Sequence, residues 1–220
     1  MSIQLNQFFL DNPKKFFKNH FVTLPDYFCF NTGLGIRRID LNVSQNERAV
    51  KERRFRGPVE IPVIAVSRYE PEIVPIEPEE FSTISIYWLP SKEHAVTNIQ
   101  LGDEADFFLT TTLNGCRIEI ENSDIPEILH IAGGYSNERQ LEVADEYFGE
   151  RPHRGISYAP NQGYANADNA IFYGIRDRRT NQWQFYIQGY DHILFESQRI
   201  IRAGIHGKIN YSRIYKNRGV

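Results

Sequence analysis

The chain has 220 residues and a formal net charge of −3, which excludes a nucleic-acid-binding surface spread over the whole molecule, since that needs a basic excess to release counterions. The length suits one large domain over residues 1–220, and folding at this size buries about 70% of the unfolded surface. A disulfide framework is therefore unnecessary, and the two cysteines read as thiols.

The N-terminus, "MSIQLNQFFLDNPKKFF", lacks a basic region ahead of an apolar core. The expectation is a chain made in the cytoplasm without a cleavable secretory leader. No run approaches the ~20 apolar residues of a membrane span, so no membrane partner is expected. Residues 3–20 read as helical, with an interruption at Asp11-Asn12-Pro13 and Pro13 in a first helical turn.

From Phe21 the chain changes character. "FVTLPDYFCFN" and "GIRRIDLNV" read as strands. The run "ERAVKERRFRG" is basic with few apolar anchors, and residues 61–81 carry a strand at 61–66 and then a proline-punctuated, glutamate-rich loop. Prolines are rare inside central strands. Residues 47–80 are thus expected to form a surface insertion. "STISIYWLP", "ADFFLTTTL", "CRIEIE" and "EILHIAG" are further strands, with Asn114-Gly115 between the second and third. Leu141, Val143, Ala144, Tyr147 and Phe148 give 138–148 helical spacing. Residues 149–168 read as loop, and 169–195 as a hairpin turning at Arg178–Asn181. The order predicts an α+β protein: a β-sandwich-like core of mixed sheets with peripheral helices and long loops.

Chemistry concentrates around "TTTLNGCRIEI" and "EILHIAGG". If the hairpin between them is centred on Ser123, Cys116 lies opposite His130, with Cβ atoms about 4.5–5.5 Å apart. A thiol beside an imidazole is the arrangement of a cysteine nucleophile and its base. Gly115 permits a sharp turn, which can aim the Cys116 N–H at an incoming carbonyl oxygen, and Asn114 could supply a second oxyanion donor. A threonine at 110 or 112 could hold the second nitrogen of His130. Against this stands the ordinary role of a lone strand cysteine as a small buried hydrophobe. Cys29, between aromatics, reads as core. The other histidines show no metal-ligand spacing, and no cofactor is expected.

The order of three landmarks resembles the Burkholderia lethal factor-like glutamine deamidases and, more distantly, the cytotoxic necrotizing factors and the chemotaxis receptor deamidases. They are "IRRIDL" (36–41), "IYWLPSKE" (86–93) and "FFLTTTLNGC" (107–116), followed by "ILHIAGG". The resemblance implies Cys116 as nucleophile, His130 as general base, Thr110 as the residue completing a triad, and Gly115 in the same motif. Asn114 stands where the family has a serine. The implied activity is that of a bacterial toxin that turns a glutamine of a host protein into glutamate. It is secreted as an effector into the host cytosol and acts in virulence, by inhibiting translation where the target is a DEAD-box initiation helicase. A Rho-type GTPase is the other target class in the family. A cysteine protease or acyltransferase with the same dyad, and a non-catalytic host-binding module, are the alternative readings. Oligomeric state is left open.

Overall fold

A computed structural model describes residues 2–24, 33–45, 47–53, 57–68, 83–157, 167–195 and 198–208. Among these, three helices accompany fourteen strands. The helices are α1 (Ser2–Asp11), α2 (Pro13–Asn19) and α3 (Asn137–Phe148). The strands are β1 (Phe21–Thr23), β2 (Gly35–Val43), β3 (Ala49–Arg53), β4 (Gly57–Ile61), β5 (Val63–Arg68), β6 (Ile84–Leu89) and β7 (Val96–Gln100). They continue with β8 (Phe107–Thr110), β9 (Arg117–Glu121), β10 (Glu127–Ile131), β11 (His153–Ile156), β12 (Asn169–Asp177), β13 (Gln182–Phe195) and β14 (Gln198–Lys208).

Ten strands form one sheet in the order β1-β5-β2-β6-β8-β12-β13-β14-β3-β4, and four form a second in the order β11-β9-β10-β7. The chain is therefore α+β, with mixed sheets. Parallel pairs join β6 to β8, β1 to β5 and β14 to β3. Between β6 and β8 the chain leaves the large sheet, builds β7 into the small one, and returns.

Two-residue alternation sorts the side chains into layers. On one face of the large sheet, Ile39, Ile84, Trp88 and Tyr173 pack with Phe9, Phe16 and Phe17 of α1 and α2. On the other, Leu89, Phe108, Phe172 and Phe185 pack against Ile118, Ile120 and Ile128 of the small sheet. The far face of the small sheet sets Leu129 and Ile131 against Ala144 and Phe148 of α3. Burial of such side chains is worth about 1.5–3 kcal/mol each, so these three contacts fix the stacking. Ser136 caps α3 by accepting from the Arg139 N–H at 3.2 Å, and Gly149, at φ 58°, ends it.

Several expectations change. The insertion at 47–80 is not simply a surface excursion: β3, β4 and β5 join the large sheet, and Ala49, Val63, Ile64 and Val66 are buried. Charged neighbours such as Lys51 and Glu60 disguise these strands in the sequence. Residues 69–82, with the glutamate-rich loop, lie outside the described residues, as do Cys29 and Arg54–Arg56 of the basic run. Within the expected loop 149–168, His153–Ile156 forms β11. On α3 the buried residues are Gln140, Ala144 and Phe148, so a glutamine faces the core where Leu141 was expected.

Candidate active site

Leu89 ends β6 and Thr110 ends β8, side by side in the parallel register. Thr110 is fully buried. Its hydroxyl donates to the Leu89 carbonyl at 2.8 Å and sits 2.8 Å from Nδ1 of His130. A threonine has one hydroxyl proton. With that proton on Leu89, the hydroxyl accepts from His130, which places the imidazole proton on Nδ1 and leaves the lone pair on Nε2. The large sheet thereby selects the tautomer of a histidine carried by the small one.

His130 is 1% exposed, and burial lowers its pKa from the usual 6.5 to about 4. The ring is neutral at physiological pH because its charged form is not solvated. Among the described residues its Nε2 has no hydrogen-bond partner. A buried polar atom without a partner costs about 1–3 kcal/mol, so this open position calls for an explanation.

Cys116 lies on a short link between the sheets. Leu113 is tied to Ala170 of the large sheet by two backbone hydrogen bonds, 2.7 and 3.1 Å. Asn114 and Gly115 then turn the chain, Gly115 with φ 76°, a conformation that glycine adopts without strain. Cys116, half-buried, immediately precedes β9 and packs against the intersheet core. A second turn, Ala132–Gly134, follows β10 and lies against the first. A Cβ added to Gly133 would come within 3.1 Å of the Asn114 carbonyl. At this contact the Gly133 N–H donates to the Cys116 sulfur at 3.3 Å.

The register differs from the one expected. His130 opposes Ile118, so Cys116 is two residues from direct opposition. The turn centres on Asp124, one residue later than expected, which shifts every pair by two. A two-residue shift preserves the face, and Cys116 still follows the alternation that places Ile118 and His130 between the sheets. The diagonal step lengthens the separation, to about 7–8 Å between backbones. The sulfur makes no hydrogen bond to Nε2 in this structure. Asn114 is exposed and contributes its carbonyl, 3.9 Å from the sulfur.

Three contributors escaped the sequence reading. Gly133 was visible only as half of a Gly-Gly pair. Thr111 holds the strand ends by accepting from the Ser91 N–H at 3.0 Å. Gln140, 0% exposed, donates from its amide nitrogen to the carbonyls of Gly115 and Ala132 at 2.9 and 3.1 Å. Nothing in a polar helix residue announces such a contact. Among the described residues no group of three or more His, Cys, Asp and Glu is placed to hold a metal, and no helix is long and apolar enough to cross a membrane.

No family model matches the chain, and no curated protein matches it. Among solved structures, the C-terminal domain of CNFy from Yersinia pseudotuberculosis is similar with a TM-score of 0.33 and 9% sequence identity, over 58% of this chain and 62% of that one. The chain thus spans about three fifths of the solved domain it matches.

Proposed function

We propose that the chain is a thiol-dependent protein-glutamine deamidase, with Cys116 as nucleophile, His130 as base and Thr110 as the residue that sets the base's tautomer. The observation that carries this reading is the Nε2 lone pair of His130. It is buried and open, its tautomer is set by Thr110, and it sits beside a turn that presents a cysteine. The motif resemblance supplies the substrate, a glutamine side-chain amide of a host protein.

In this reading Nε2 removes the thiol proton as Cys116 closes the diagonal gap. The resulting imidazolium is then stabilised by the thiolate, which offsets the desolvation that otherwise keeps the ring neutral. The sulfur attacks the amide carbon, and the oxyanion is received by backbone N–H groups of the two glycine-containing turns. The C–N bond breaks as Nε2 returns the proton to the departing nitrogen, and ammonia leaves. Water, deprotonated by Nε2, attacks the thioester. The thiolate departs and is reprotonated, and the target carries a glutamate.

The deciding experiment is mass spectrometry of a eukaryotic lysate treated with the wild-type chain and with Cys116→Ser. A gain of about 1 Da at one glutamine, present only with wild type, supports deamidation. Cleaved peptides would identify a protease instead. No change, together with a Cys116 inert to iodoacetamide, would leave a binding module as the reading.

A further inference from the structure

Gln140 is a polar residue at a core position of α3. Its amide nitrogen donates to two carbonyls, those of Gly115 and Ala132. The pair of acceptors fixes the amide's orientation, since the carbonyl end would repel both. That leaves the side-chain oxygen buried with no hydrogen-bond partner among the described residues. Packing alone would be served better by an apolar residue, because the orphaned oxygen costs about 1–3 kcal/mol.

The two carbonyls are not arbitrary. Gly115 C=O belongs to the peptide whose N–H is that of Cys116, and Ala132 C=O to the peptide whose N–H is that of Gly133. No peptide bond described is cis, and in a planar trans peptide the C=O and N–H point in opposite directions. Drawing both oxygens toward one nitrogen on α3 therefore turns both N–H groups away from the helix. The outcome is visible at Gly133, whose N–H meets the Cys116 sulfur at 3.3 Å. Gly115 and Gly133 allow the two turns to lie this close, since a Cβ on Gly133 would come within 3.3 Å of the Gly115 carbonyl carbon.

We propose that Gln140 is a positioning residue that orients the Cys116 and Gly133 N–H groups as the oxyanion-binding pair, by clamping the carbonyls of the two peptides that carry them. It touches neither the sulfur nor a bound amide and acts through the backbone. This rests on the deamidase reading for its chemistry, and on the hydrogen bonds alone for its geometry. The clamp explains how an exposed helix comes to govern a site on the opposite face of the small sheet.

The test uses Gln140→Met, which fills the space without donating, and Gln140→Glu, which keeps the shape and donates only when protonated. Wild type and variants are compared by three readouts: the rate of Cys116 alkylation by iodoacetamide at pH 7, the amide resonances of Cys116 and Gly133, and turnover of the target. Gln140→Met is expected to move those two resonances while leaving β12 and β13 unchanged. It should slow alkylation several-fold and lower kcat about 100-fold with KM within about two-fold. Gln140→Glu should recover toward wild type as the pH falls, relative to wild type at the same pH. A folded Gln140→Met with unchanged resonances and alkylation overturns the clamp. Should both variants fail to fold, hydrogen exchange of the wild-type Gln140 side-chain amide decides. Protection matching the Gly133 N–H supports the clamp, and exchange at the rate of an exposed glutamine refutes it. A wild type that deamidates nothing while Gln140→Met still moves the two amides retains the clamp and removes the deamidase reading. Undiminished turnover in the variant does the reverse.

Discussion

The small sheet buries two histidines, one on each face, and they are treated oppositely. His130, between the sheets, has one hydroxyl partner and an Nε2 with none among the described residues. His153, on the face covered by α3, is 9% exposed and has both nitrogens occupied. Its Nδ1 lies 3.0 Å from Glu119 and its Nε2 3.1 Å from Asp145. The ring stacks on Phe148 at 4.7 Å. Glu119 is itself 0% exposed and also paired with Arg117. Both rings are buried, so burial does not distinguish structure from chemistry. The completeness of the partner set does: both His153 nitrogens face carboxylates, and the His130 Nε2 faces no partner among the described residues.

Removing the reactive groups should give the largest effects. Cys116→Ser is expected to abolish turnover while preserving the fold, since oxygen for sulfur nearly conserves volume and a serine would be far less ionised. His130→Gln should lower kcat about 10³-fold. Both are checked by deamidation kinetics with circular dichroism for folding.

His153→Ala should do the converse. It leaves Glu119 buried with Arg117 as its one side-chain partner among the described residues, and removing a hydrogen-bonding partner from a buried charged group costs about 1.5–3 kcal/mol. Turnover per folded molecule should stay within about two-fold. Urea denaturation and kinetics on the same sample measure both, and a His153→Ala chain as stable as wild type but inactive would reverse the comparison.

Thr110→Val should fall between these. It keeps the shape and removes the acceptor for the Nδ1 proton, so kcat should drop about 10- to 100-fold through loss of the tautomer, with about 1–2 kcal/mol of stability. The Nδ1 and Nε2 shifts of His130 report the tautomer directly.

A further effect concerns pH and leaves activity at neutral pH untouched. The His130 pKa is about 4 folded, against the ordinary 6.5. Above about 6.5 the ring is neutral in both states and costs nothing. Between 6.5 and 4 the unfolded chain binds a proton that the folded chain refuses, so stability falls with falling pH. The loss approaches about 3 kcal/mol at most. Equilibrium unfolding at pH 7 and pH 5 should show it, and His130→Gln should reduce the difference.

Local pattern made much of this legible. The apolar run in "IYWL" and the alternation in "CRIEIE" specified β6 and β9, and the spacing of Ala144 and Phe148 specified α3. Strand parity offered His130 a threonine at 110 or 112, and the motif resemblance implied Thr110. What escaped lay in non-local pairing. β3 and β4 carry few apolar residues and look solvated until β14 lies beside them. β7 is mostly exposed and short, and β11 sits among Gly and Pro. The hairpin register missed by two because Asn122–Pro126 offers several turn centres of similar chemistry. Gln140 escaped because its partners are backbone carbonyls, which no side-chain pattern marks.

The parallel pairing of β14 with β3, in which Ile201 faces Ala49, also carries a consequence for the order of events in folding. The strands of the small sheet come from one continuous stretch between Val96 and Ile156, which also holds Thr110, Cys116, His130 and Gln140. The β14–β3 contact instead spans most of the chain, and contacts of high sequence separation form slowly because closing the loop costs entropy before it is rewarded. During synthesis the site-bearing segment is complete while β14 is still to emerge. The β3–β4 hairpin and the outer edge of β13 then wait as open strand edges, the features most prone to pairing with another chain. The interval between completing the site and closing the sheet is when this fold is most exposed to aggregation.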